Sequence, residues 1–190
     1  MDQPEDAQAT GARQAASERV ALAALVEMHQ QPLGAYLFHL TGDLDLALAI
    51  TRETFIRYRP VGVRQIDEIA QRAALYRVAT RLVLSQVREA HATRRRRVPR
   101  GWTRRDASPT GGAVELAVEL GNAEHGLAQA ALRDLTPGER AVLLLCDLEQ
   151  FPLAEVAAIL GVSGDAIYGQ LSRARARFRL AYVEACRARV

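Results

Sequence analysis

The sequence predicts an all-α protein: two small helical domains joined by a linker, the C-terminal one a helix-turn-helix. Three observations lead there. Apolar residues recur at helical spacing in separate runs on both sides of residues 98–121, and hardly any stretch alternates as a strand would. Residues 98–121 carry Pro99, Gly101, Pro109, Gly111, Gly112 and Gly121 with no sustained periodicity, which reads as a linker. The third observation is the order helix, Gly161, Val162, Ser163, helix, the most specific pattern in the chain.

Residues 1–17 are polar and rich in Ala and Gln, and are expected to be a disordered tail. A first domain is placed at 18–97. Leu22, Leu25, Val26, Leu33, Leu37 and Leu40 share helical spacing, and Pro32 between them predicts two short helices rather than one. Gly42 supplies a stop, Leu44 to Arg59 forms a helix that Pro60 closes, and a loop comes next. From Ile66 to about Thr93 the positions Ile66, Ile69, Ala73, Tyr76, Leu82 and Val87 mark the longest helix of this half, which runs into Arg94, Arg95, Arg96 and Arg97. After the linker at 98–121, a second domain covers 122–190. Leu127 to Leu135 is a short helix, and Thr136, Pro137 and Glu139 form a capping box with proline at the first helical position. That box opens a helix to about Glu149, and Pro152 starts the next.

Within the helix-turn-helix each residue has a mechanical reason. Ala157 is small where two helices cross, Gly161 takes the left-handed turn, Val162 plugs the core and Ser163 caps the second helix. Val156, Leu160, Ile167, Leu171, Ala174 and Phe178 make one apolar face, which leaves Asp165, Tyr168, Gly169, Ser172 and Arg173 toward solvent. This is the geometry of a helix that reads a major groove.

Charge is distributed to match. The net charge is only +3, and every one of the 25 cations is arginine. Residues 88–105 hold eight arginines against one acid and residues 151–190 six against three, while 106–150 between them hold two against eight. Two basic blocks separated by an acidic stretch suit a chain that touches a polyanion at two places, and arginine matches phosphate and guanine bidentately. Catalytic chemistry finds no support. His29, His39, His91 and His125 are scattered, Cys146 and Cys186 fit no zinc or disulfide spacing, and no glycine-rich phosphate loop follows a strand. No enzyme activity, metal or cofactor is expected. No apolar run approaches the roughly 20 residues that span a bilayer, and the N-terminus is acidic, so a cytoplasmic protein without a membrane partner is expected.

Residues 132–151 (LRDLTPGERAVLLLCDLEQF), 155–163 (EVAAILGVS) and 171–178 (LSRARARF) resemble region four of the extracytoplasmic-function (ECF) sigma factors of the sigma-70 family. Pro32 to Asp43, residues 53–57 (ETFIR) and 75–79 (LYRVA) resemble region two of the same family, in the right order. The resemblance implies a transcription initiation factor whose partners are core RNA polymerase, promoter DNA and an anti-sigma factor. It implies DNA contacts from Tyr168, Gly169, Ser172, Arg173, Arg175 and Arg177 in region four, with Arg179 adding phosphate affinity, and from Arg77, Arg81, Arg88 and Arg94 to Arg97 in region two. It implies polymerase contacts from Leu48, Arg52, Glu53 and Phe55, capture of a flipped base by the loop at 61–67, and a connector containing Glu115, Glu119 and Glu124 that threads the polymerase cleft. Trp102, among Arg100, Arg104 and Arg105, is a candidate to stack on a base or dock on polymerase.

Three departures from the family pattern stand out. Leu46, Leu48, Ala49 and Arg52 occupy positions usually held by acids and a glutamine; Ala74 replaces a tryptophan, and Thr80-Arg81 an Arg-Asn pair. On the reading helix, Tyr168, Gly169 and Gln170 stand for a basic residue, serine and arginine. Glycine there costs roughly 1 kcal/mol of helix stability relative to alanine and removes a side chain from the reading face. These changes imply either an unusual promoter sequence or the alternative function, a sigma-like regulator that binds another protein through Leu44 to Ile50.

Overall fold

The computed structural model describes residues 4–58, 68–95 and 123–188. They form seven helices: α1 (Pro4–Thr41), α2 (Leu44–Arg57), α3 (Glu68–Arg95), α4 (Ala123–Arg133), α5 (Pro137–Leu143, continued by a π-helical turn Leu144–Leu148), α6 (Leu153–Leu160) and α7 (Gly164–Arg187). No strand occurs among the described residues. The loop at 61–67, Arg96, Arg97 and the linker with Trp102 lie outside them.

Two expectations for the first 41 residues are corrected. α1 is one helix, where a tail at 1–17 and a break at Pro32 were expected. The helix runs from Pro4, and alanines, the strongest helix formers, are frequent in its first turns. At Pro32 the missing N–H is tolerated because burial holds the helix on both sides. Leu25 and His29 precede it in the interior, Leu33, Tyr36, Leu37 and Leu40 follow it there, and the proline ring itself faces solvent. The remaining boundaries obey the local signals. Gly42 stops α1 at φ +72° and Asp43 caps α2 by accepting from the Leu46 N–H at 3.0 Å. Thr136 and Glu139 form the reciprocal capping box, and Pro152 caps α6 from one residue outside it.

The two halves of the chain share one apolar core. Leu33, Tyr36, Leu37, Ile50 and Tyr76 from the first half belong to the same buried cluster as Leu145, Phe151, Val156, Ile159 and Ile167 from the second. Tyr76 is the hinge pin of this arrangement, its ring 5.0 Å from both Tyr36 and Phe151. A polar seam runs alongside. Glu149, nearly buried, accepts from Tyr76 Oη at 2.6 Å and Arg72 Nη2 at 2.8 Å, and Arg72 stacks 4.3 Å over Phe151. At the far end the last carbonyls of α1, which have no partner within their own helix, are met from the second half. Gln129 donates to Phe38 and His39, and Arg140 donates to Leu40 at 2.7 Å. The side chains of His39 and Gln129 also meet, at 3.1 Å.

Candidate nucleic-acid interface

The helix-turn-helix is built as its residues dictate. α6 ends on Gly161 at φ +69°, a conformation that side-chain-bearing residues avoid, and the Gly161 N–H closes on the Ala157 carbonyl. Ala157 is buried at the crossing, Val162 is half-buried beneath the turn, and Ser163 caps α7 by accepting from the Ala166 N–H at 3.4 Å. Ile167, Leu171, Ala174 and Ala181 then face the core, so the opposite face of α7 has to point outward. Asp165, Tyr168, Ser172 and Arg173 are exposed there, Tyr168 at 71%, and Gly169 is half-buried among them. One helix face thus carries a large aromatic, a hydroxyl and a guanidinium with no competing structural duty. Its width suits a major groove.

Two further arginines of α7, Arg175 and Arg177, are engaged within the chain. Arg175 grips Asp147 with two nitrogens, Nε at 3.0 Å, and that pairing raises its pKa further. Arg177 donates from Nη1 to both oxygens of Glu139, at 3.1 and 2.9 Å. Burial alone would raise the Glu139 carboxyl, but hydrogen bonds from Thr136 and the nearby Arg177 more than offset it and leave it below the usual range. Both arginines therefore fasten α7 to α5 and its π-helical turn. Arg179 is exposed.

In the first half, α3 carries Arg77, Arg81 and Arg88 at spacings of four and seven, one stripe along the helix, and includes Arg94 and Arg95 at its end. Arg81 and Arg88 are exposed and Arg77 is half-buried with its Nε unpartnered. On α2, Leu48 is half-buried and Arg52 exposed; Glu53 is tied to Arg57 four residues on, and Phe55 packs inward against the core. Ile56, 70% exposed, extends the Leu48 and Arg52 row by another turn. The sequence reading missed it, although the spacing of 48, 52 and 56 was there to be seen. It also missed Arg72 and Glu149, whose pairing joins positions 77 residues apart and leaves no local signal. Among the described residues no cluster of His, Cys, Asp or Glu could hold a metal ion. No described helix is long and apolar enough to cross a membrane.

Residues 125–178 match the family model for sigma-70, region 4. Over 194 residues the chain is 30% identical to the ECF RNA polymerase sigma factor SigG of Mycobacterium tuberculosis, an alignment spanning 91% of this chain and 52% of the relative. Residues 125–178 are thus a sigma-70 region 4 domain, and the chain as a whole is similar to ECF sigma factors. A second relative, the ECF RNA polymerase sigma factor SigE of Mycolicibacterium smegmatis, is 31% identical over 157 residues, covering 82% of this chain and 59% of its own. The chain thus spans little more than half the length of these relatives. Its fold is like that of the sigma factor RpoE from Bartonella quintana, solved in complex with the anti-sigma factor NepR. The TM-score is 0.60 at 17% identity, over 84% of this chain and 94% of that one. In sigma-factor terms, residues 125–178, which lie within α4 to α7, are region four.

Proposed function

We propose that this chain is a transcription initiation factor that binds core RNA polymerase and directs it to promoter DNA, acting in the cytoplasm and without enzymatic activity of its own. The observation that carries the reading is the exposed face of α7. Its apolar side is locked into the core by Ile167, Leu171 and Ala174, Arg175 and Arg177 fasten it to the π-helical turn and α5, and Tyr168, Ser172 and Arg173 remain directed outward. A helix held rigidly with its polar face clear is what base readout requires. The Arg77, Arg81 and Arg88 stripe on α3 supplies a second, sequence-independent grip on phosphate, and Leu48, Arg52 and Ile56 on α2 are the surface proposed for polymerase. An anti-sigma factor is a further proposed partner, by analogy with the complex of the Bartonella protein.

The alternative, a regulator that binds protein through Leu44 to Ile50, loses ground. Leu44, Leu46 and Leu48 are half-buried, and Ala47 and Ile50 are buried, so that stretch offers little free apolar surface. The deciding experiment mixes the purified full chain with core RNA polymerase and monitors run-off transcription from a fragmented genomic library. Co-elution with polymerase and discrete transcripts are expected; co-elution without any discrete transcript would remove promoter direction from the proposal, and no co-elution would overturn it.

A further inference from the structure

Gly169 is the sixth residue of a 24-residue helix, past its first turn, where glycine is disfavoured by about 1 kcal/mol against alanine. Its backbone does not require it. Gly42 and Gly161 are the described glycines with positive φ, whereas Gly169 is ordinary helix. What the missing side chain provides is space, and that space is filled. A Cβ placed on residue 169 would lie 3.3 Å from Arg173 Nη1 and 3.9 Å from its Cζ and Nη2, the nearest atoms apart from the adjoining residues and the local helix backbone. Side chains on a helix lean toward its N-terminus, so an arginine four residues on naturally covers position 169. Here the absence of Cβ leaves the guanidinium room that a methyl group would narrow by a few tenths of an ångström. Arg173 is also set apart from Arg175 and Arg177, since it makes no ion pair within the described chain.

We propose that Gly169 is a positioning residue for Arg173. The notch at 169 seats the guanidinium one turn nearer the N-terminus of the recognition helix, in the stripe flanked by Tyr168 and Ser172, so that its planar fork meets the O6 and N7 edge of a guanine in the major groove. The N-terminal part of such a helix is the part that reaches base edges, whereas an arginine splayed from residue 173 would fall nearer the phosphates. A guanidinium in that seat matches guanine bidentately, and a lysine could not reproduce the fork. The chain therefore reads with an arginine delivered from position 173 where the family pattern places a serine side chain at 169. This inference rests on the promoter-directing function proposed above and names how its reading face selects a base.

The test uses the full chain assembled with core RNA polymerase and a randomised promoter duplex library, and then measures binding to the selected duplex with single guanines replaced by 7-deazaguanine. Wild type is expected to enrich one invariant guanine in the region-four element and to lose roughly tenfold in affinity when that guanine lacks N7. Arg173→Lys and Gly169→Ala should each lose the preference at that one base, and 7-deazaguanine should cost Gly169→Ala nothing further, the signature of a coupled pair. Because alanine favours helix, the thermal midpoint of Gly169→Ala should equal or exceed that of wild type, which separates misplacement of Arg173 from unfolding. If Gly169→Ala selects the same guanine with the same affinity, Gly169 does not position Arg173. Enrichment of an element without guanine would also overturn the inference while leaving promoter direction standing; enrichment of no sequence by wild type would overturn both.

Discussion

Glu149 shows how much one residue can hold when its partners come from elsewhere in the chain. Its carboxylate accepts from Arg72 and from the Tyr76 hydroxyl, while its own backbone carbonyl takes a second bond from Arg72 at 2.8 Å. The next residue, Gln150, is held at φ +58°, and the π-helical turn ends just before; both distortions turn the chain so that Glu149 and Phe151 face α3. Glu149→Ala would leave the Tyr76 hydroxyl without its acceptor and the partly buried Arg72 guanidinium without its countercharge, held only by the backbone carbonyl. It is expected to lower unfolding stability by about 3 kcal/mol. Glu149→Gln keeps one acceptor oxygen and should lose only about 1 kcal/mol. Urea denaturation of the two variants measures both, and equal losses would mean that the charge carries the whole contribution and the hydrogen bond a glutamine retains carries none. None of this was legible in the sequence, where Glu149 is one of several acids in an acidic stretch. Tyr168, Ser172 and Arg173 were legible, because helical periodicity alone assigns them to the face opposite Ile167 and Leu171.

Elements reveal which local signals outrank others. The capping box at Thr136, the stop at Gly42 and the turn at Gly161 all act where the sequence places them, since each depends on residues within four positions. Pro32 does not break its helix because the burial of Leu25, Leu33, Tyr36 and Leu37 on either side outweighs one lost hydrogen bond, and burial on that scale is a property of the fold rather than of the motif. Two glycines of region four separate these contributions. A Cβ at Gly161 or at Gly138 would meet nothing within 4 Å, so neither substitution creates a clash. Gly161→Ala must nevertheless adopt φ +69° and is expected to destabilise by about 1 kcal/mol. Gly138→Ala falls in the first turn of α5 at ordinary helical φ and should stabilise by about 0.5 kcal/mol. Thermal melts of the two variants should therefore move in opposite directions, and a shared direction would show that space rather than backbone conformation governs these sites.

At the scale of the whole molecule, the two halves that the sequence separates by a linker are fused through the Tyr36, Tyr76 and Phe151 cluster and the seam beside it. Helical periodicity could identify each inward face but not that the two faces meet, because no repeat or spacing encodes contact across 73 residues. The fusion has a consequence in alkaline solution. Burial pushes both the Tyr36 and Tyr76 hydroxyls well above the ordinary tyrosine value, and the Glu149 carboxylate facing each of them adds to it. In the unfolded chain both titrate near pH ~10, so above that pH the unfolded state releases protons that the folded state retains. The stability held by these two hydroxyls is complete below pH ~10 and drains away as pH climbs toward their raised folded values. Because the tyrosines lie in the shared core, the loss should strike both halves together. The methyl signals of Ile50 in α2 and Ile159 in α6 should disappear at one common pH, and Tyr36→Phe with Tyr76→Phe should move that pH upward. Separate disappearance of the two signals would mean that the two halves of the chain fold as independent units and that their contact is too weak to couple them.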